Sequence, residues 1–205
     1  MTVSRMAVQR GVVIFLWVLV LVRTAAIQDK CRIIELLSRK LQYENRIMYM
    51  GDFFPTDYRL PVKYEEILRC QNISGLISKG ISVDELRFLW GIVSENVLLS
   101  IWHVLPQRHP SSSYINDLKT ILNVLHVGDQ PDLTDIVKDI VGRLWTPGDK
   151  VKGVAPKDLL DDCWRALDVL YQEECVLCLP RSAPQDALCP MGTVPGPGAA
   201  QRPSC

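Results

Sequence analysis

The chain has 205 residues, 48% hydrophobic and 22% charged, with 23 Lys and Arg against 23 Asp and Glu. That length holds one core and a tail, and the composition excludes disordered and collagen-like classes. The balanced charge, with a pI near 6.8, lacks the basic stripe that nucleic-acid binding calls for.

Arg5 and Arg10 precede an uncharged apolar run, Gly11 to Val22, and Thr24 and Ala26 supply the small residues of a signal-peptidase site. The run is short of the ~20 residues that span a bilayer. The expectation is a signal peptide over residues 1–26, secretion, and no membrane insertion. Its removal takes away Arg5, Arg10 and Arg23 and leaves a slightly acidic chain.

Helical spacing then recurs four times. The first segment carries Ile33, Ile34, Leu37, Leu41 and Met48, with Gly51 as its stop. The second opens on Ser82 and Glu85, a capping-box spacing, and runs Leu86, Leu89, Trp90, Val93, Val97, Ile101 and Val104 to Pro106. The third follows Ser111, Ser112 and Ser113 with Ile115, Leu118, Leu122 and Leu125, and Gly128 closes it. The fourth begins at Pro156 and runs Leu160, Cys163, Leu167, Leu170 and Tyr171.

The links are long, short and long. Gly51 to Ile81 contains an alternation of Tyr58, Leu60, Val62 and Tyr64 that predicts a strand, with Pro61 confining it to an edge. Gly128 to Ala155 contains a small helix around Ile136 to Leu144 and a second strand candidate, Val151 to Val154. This pattern predicts an all-α, up-up-down-down four-helix bundle whose two crossovers each carry a short strand. Pro180 to Cys205 is rich in Pro and Gly and lacks periodicity, so a flexible tail is expected over 180–205 after a folded domain at 27–179.

Five blocks make the chain similar to a known family. They are LQYENRIMYMGDFFPTDYRLPVKYE (Leu41 to Glu65), the stretch around Asn72, SVDELRFLWGIVS (Ser82 to Ser94), HPSSSY (His109 to Tyr114) and APKDLLDDCWRALDVLY (Ala155 to Tyr171). In order and spacing they resemble the interleukin-34 family of secreted helical cytokines, over nearly all of Cys31 to Cys178. Gln172-Glu173-Glu174 replaces a denser cysteine cluster, and Cys70 is an addition. The resemblance implies a short-chain four-helix-bundle cytokine and a non-covalent homodimer. It also implies binding to the macrophage colony-stimulating factor receptor, a receptor tyrosine kinase that supports survival, proliferation and differentiation of monocytes and macrophages. Whether cell-surface proteoglycans also bind is left open.

Catalysis has little to work with. The histidines are His103, His109 and His126, and no G-x-S-x-G elbow, P-loop or H-E-x-x-H is present. The adjacent pairs Asp161-Asp162 and Glu65-Glu66 read as solvated faces. Cys175-x-x-Cys178 lacks a second pair, so disulfide bonding is the better reading than zinc. The expectation is therefore no enzyme, no metal and no cofactor. A disulfide-stabilised helical carrier of lipid or a small ligand is the alternative from a different class.

The chain has seven cysteines: Cys31, Cys70, Cys163, Cys175, Cys178, Cys189 and Cys205. In the expected topology the start of the first helix and the end of the fourth share a pole, which favours Cys31 with Cys175, and the family pattern agrees. Cys178 with Cys189 is a local candidate. Cys163 reads as a buried thiol, with a bond to Cys70 as the alternative, and Cys205 as free or capped. Asn72-Ile73-Ser74 is an N-glycosylation sequon in a crossover expected to be loop.

The second helix also carries an apolar row, Leu98, Trp102 and Leu105, outside its core stripe, and the third adds Ile121 and Val124. Crossover strands covering these rows would account for them. The family resemblance instead implies receptor contacts on these two helices, at about Leu99, Trp102, Leu105, Ile121 and Val124.

Overall fold

The computed structural model describes Trp17 and residues 27–55, 57–62, 69–106, 108–126, 131–145 and 151–175. The expected signal peptide, Trp17 apart, and the expected tail lie outside the described residues, as do Tyr64, Gly128, Cys178, Cys189 and Cys205. In chain order the elements are α1 (27–40), α2 (Tyr43–Ile47), which continues into a π-helical turn (Met48–Asp52), β1 (Leu60–Val62) and α3 (Cys70–Ser78). Then come α4 (Val83–Val104), α5 (Ser111–His126), α6 (Asp135–Trp145), β2 (Lys152–Val154) and α7 (Pro156–Tyr171). The fold is mainly helical.

The long helix α4 packs against α5, α6, α7 and β1. Its local sequence defines both ends. Ser82 caps the start, where its Oγ accepts from the Glu85 amide and the Glu85 carboxylate accepts from the Ser82 amide. At the other end Leu105, ahead of Pro106, turns extended with ψ 129°. Across the core, Ile34, Leu37, Val93, Val97, Ile115, Leu118, Leu159 and Leu167 are each at most 2% exposed. Trp90 is buried with them and donates from Nε1 to the Cys163 carbonyl at 3.1 Å, so its one polar atom is satisfied.

Polar contacts show how the helices run. Arg87 donates to the Leu170 carbonyl and Trp90 to that of Cys163, so α4 and α7 are antiparallel. At one pole the Cys31–Cys175 disulfide, with Cα atoms 5.2 Å apart, joins the start of α1 to the residues just after α7. Glu174 pairs there with Lys30 at 3.3 Å and Arg87 at 2.5 Å. At the other pole Tyr114 of α5 donates to the Lys40 carbonyl at 2.9 Å, and Lys40 pairs with Asp117 at 2.7 Å. β1 and β2, one in each crossover, pair antiparallel in the register Leu60 to Val154.

Three sequence expectations need correction. The first helix does not run on to Gly51. It breaks at Leu41–Gln42, and the Asn45 side chain takes the freed Arg39 and Lys40 carbonyls. The side chain of Arg46 takes that of Leu41. The π-turn that follows adds residues per turn and shifts the phase, so Met48 is exposed and Met50 buried. Gly51 lies inside that turn without positive φ.

The first crossover also contains a helix, α3, where none was expected. Gly80, at φ +88°, ends it, and the Gly80 and Ile81 amides donate to the Ile77 and Leu76 carbonyls in a Schellman closure. Asp161 is no solvated carboxylate: it pairs with the buried Arg46 and with Lys157 at 2.7 Å, while the Arg46 guanidinium stacks 5.0 Å from the Trp164 ring centroid. Burial raises the pKa of its neighbour Asp162. Cys163 is the expected free, buried thiol, and Cys70 is disulfide-bonded, which excludes the alternative of a bond between the two.

Two expected outcomes follow from these contacts. Burial pushes the Cys163 thiol up to about 12, so it is neutral at pH 8. In peptide mapping without reductant, iodoacetamide at pH 8 leaves Cys163 unmodified in the native protein and alkylates it after denaturation. Alkylation in the native state contradicts this placement.

Glu85 ties the second crossover to α4. One carboxylate oxygen accepts from the Thr134 amide at 2.7 Å, the other from Ser82. These bonds, that from Thr134 foremost, hold its pKa at about 2, below the ordinary 4.5. The folded pKa is the lower one, so this stabilisation is complete above about 4.5 and is lost as pH falls through about 2. Glu85→Gln should lower stability at pH 7 by about 1.5–3 kcal/mol. It should also flatten the acid limb of urea midpoints measured against pH. An unchanged acid limb contradicts the assignment.

Candidate functional site

At ~100° per residue, the buried face of α4 centres near Val97 and Ile101. Leu98 stands about 60° to one side of Ile101, still within the core, and Trp102 a further 40° or so beyond Leu98. That rotation decides their fates. Leu98 is 4% exposed and, with Leu37, Leu118 and Leu122, lines a void of about 10 Å³. Trp102 is 37% exposed. Leu99 and Leu105 are half-buried, and Leu105 packs against the core. The expected row of Leu98, Trp102 and Leu105 therefore does not form one exposed strip. Val104, expected in the core stripe, is 41% exposed although it stands within about 20° of Val97, because it is the last residue of α4.

Trp102 turns toward α5. The Lys119 ammonium lies 5.1 Å from the centroid of its indole ring, bridging the two helices. On α5 the core line is Ile115, Leu118 and Leu122. Lys119 stands about 100° to one side of Leu118, while Ile121 and Val124 stand about 60° and 120° to the other. Ile121 is half-buried against the core, and Val124 is 54% exposed. The five expected contact residues thus divide. Leu99 and Trp102 belong to α4, with Trp102 on its α5-facing edge, and Leu105 lies just past its end. Ile121 and Val124 occupy the flank of α5 opposite Lys119.

Sequence reading missed Lys119. Its signal was available only through pairing: a lysine at one helical edge gains meaning when the neighbouring helix places an aromatic ring against it. The neighbourhood otherwise holds neutral groups, Asn116 and Asn123 one turn to each side of Lys119. Such a surface can bind another macromolecule through an aromatic anchor and a single cation.

Other expected positions lie elsewhere. Asn72 is the third residue of α3, not part of a loop, and its side chain is half-buried. His109, in the α4–α5 link, contacts the Phe53 carbonyl through Nε2 at 3.1 Å and accepts the Ser111 amide at Nδ1. Both ring nitrogens are thereby engaged in structure. Among the described residues no cluster of three or more His, Cys, Asp or Glu could hold a metal, and no helix is long and apolar enough to cross a membrane. The void between α1, α4, α5 and α7 has room for about one water molecule, far too little for a lipid.

A family model described as Interleukin 34 matches residues 24–178. That span includes every described element from α1 to α7.

Proposed function

The chain belongs to the interleukin-34 family, a family of cytokines, and on that premise we propose that it is a ligand of the macrophage colony-stimulating factor receptor. Membership of a cytokine family implies secretion, and cytokines are not an enzyme class. The proposal extends to the signal peptide over 1–26 and to a short-chain, up-up-down-down bundle. The opposed directions of α4 and α7, the short α4–α5 link and the pairing of one strand from each crossover support that topology.

Receptor contacts are assigned to Leu99 and Trp102 on α4, to Leu105 just past its end, and to Ile121 and Val124 on α5. One observation carries this most: a tryptophan left 37% exposed and braced by a lysine from the next helix. Large aromatics held at a surface are the side chains that most often dominate binding energy. A ligand without chemistry of its own signals by geometry. Two copies of this surface on one homodimer would hold two receptor ectodomains close enough for their kinase domains to phosphorylate each other. The outcome is survival, proliferation and differentiation of monocytes and macrophages.

Trp102→Ala is expected to weaken binding of the receptor ectodomain at least about tenfold, with folding and dimerisation intact. Surface plasmon resonance with a parallel thermal melt measures both. Unchanged affinity contradicts the assigned surface, and loss of folding makes Trp102 a core residue.

N-glycosylation is proposed at Asn72, whose sequon opens α3. Protein secreted from eukaryotic cells should lose mass on N-glycosidase treatment, and Asn72→Gln should abolish that loss. An unchanged mass in the unsubstituted protein contradicts it.

A further inference from the structure

The Trp102–Lys119 pair constrains what can cover it. Lys119 is half-buried, and the indole ring is its partner across the helix interface. Among the described residues no carboxylate pairs with Lys119. Asp117, two residues before it, pairs with Lys40 on α1 at 2.7 Å. Glu95, exposed on the same edge of α4 as Trp102, makes no ion pair with Lys119. The side chains one turn away on α5, Asn116 and Asn123, carry no charge. The ammonium therefore depends on water for most of its stabilisation. An indole face offsets only part of that hydration.

A partner that buries Trp102 must strip water from Lys119, because the two side chains touch. An ammonium is a compact, strongly hydrated charge, and burying it without an anion is costly. We infer that the partner brings an aspartate or glutamate side chain to Lys119, set beside the apolar depression that receives the Trp102 indole. Charge complementarity commits the occupant of this face to an acidic, not a basic, surface patch. Lys119 is then a specificity-determining residue: it admits partners with the carboxylate and rejects those that place a cation or an apolar group there. The inference rests on reading the outer face of α4 and α5 as the receptor-binding surface.

The test compares the full-length secreted protein with Lys119→Arg, Lys119→Met, Lys119→Glu and Trp102→Ala, each titrated against the receptor ectodomain at low and physiological salt. Lys119→Met keeps the apolar stem on the ring and should weaken binding about tenfold, mainly by faster dissociation. Lys119→Glu sets like charges together and should weaken it about 100-fold. Lys119→Arg should stay within about threefold of the unsubstituted protein, and the salt dependence of binding should fall when the cation is removed. Thermal melts report folding, and if Lys119→Glu is destabilised, Lys119→Met decides. Met binding as tightly as Lys overturns the inference. If Trp102→Ala is weak in that case, the receptor-face reading survives. If Trp102→Ala also binds normally, the face itself is wrong and the inference falls with it.

Discussion

The bond between Cys31 and Cys175 joins parts of the chain 144 residues apart, and the arrangement of the helices depends on that closure. In the chain-entropy picture, a loop of this length contributes roughly 4–5 kcal/mol by restricting the unfolded chain. The disulfide does not act alone. Glu174, next to Cys175, draws in Lys30 from α1 and Arg87 from α4. Arg87 also donates to the Leu170 carbonyl and lies 4.7 Å from the Tyr171 ring centroid. Three helices are thus held at one pole by a covalent bond, two ion pairs and a stacked cation.

Everything else in the molecule is positioned from that pole. With α1 and α7 closed on each other, α4 can bury Trp90 against α7 and still turn a different edge toward α5. The crossovers are tied down rather than left loose. Glu85 fixes the second to the start of α4, and the β1–β2 pair binds the two to each other. At the far pole Tyr49 and Tyr114 stack with centroids 4.3 Å apart, and the Ser111 hydroxyl donates to the Tyr49 carbonyl at 2.6 Å. The consequence for function is rigidity. A ligand that signals by spacing two receptors needs its contact helices fixed relative to its own frame, and α4 is tied through Glu85 and Arg87 and α5 through Ser111 and Tyr114.

The core helices were readable in the sequence because their burial follows a single period. Val93, Val97 and Ile101 are buried as the spacing predicts, and Pro156 and Ser82 mark helix starts by local chemistry. Errors arose where the period is interrupted. The break at Leu41 and the π-turn re-phase the chain, so Met50 replaces Met48 inside. Helix α3 went unread because its apolar residues are few and it ends on a glycine that also suits a loop. Ion pairs were equally invisible: Asp161 looked solvated until Arg46 arrived from a distant segment. The same limit hid Lys119. Edge residues such as Trp102 and Val124 were legible as apolar excess, but which edge meets which helix is a property of packing, not of spacing.

The central claim is that this cytokine-family chain works by presenting two copies of one receptor-binding face. Sedimentation velocity of the secreted protein, alone and with excess receptor ectodomain, tests it most directly. The account predicts a non-covalent dimer by itself and a complex of two ligand chains with two receptors. A monomer that leaves the receptor sedimenting unchanged would contradict it.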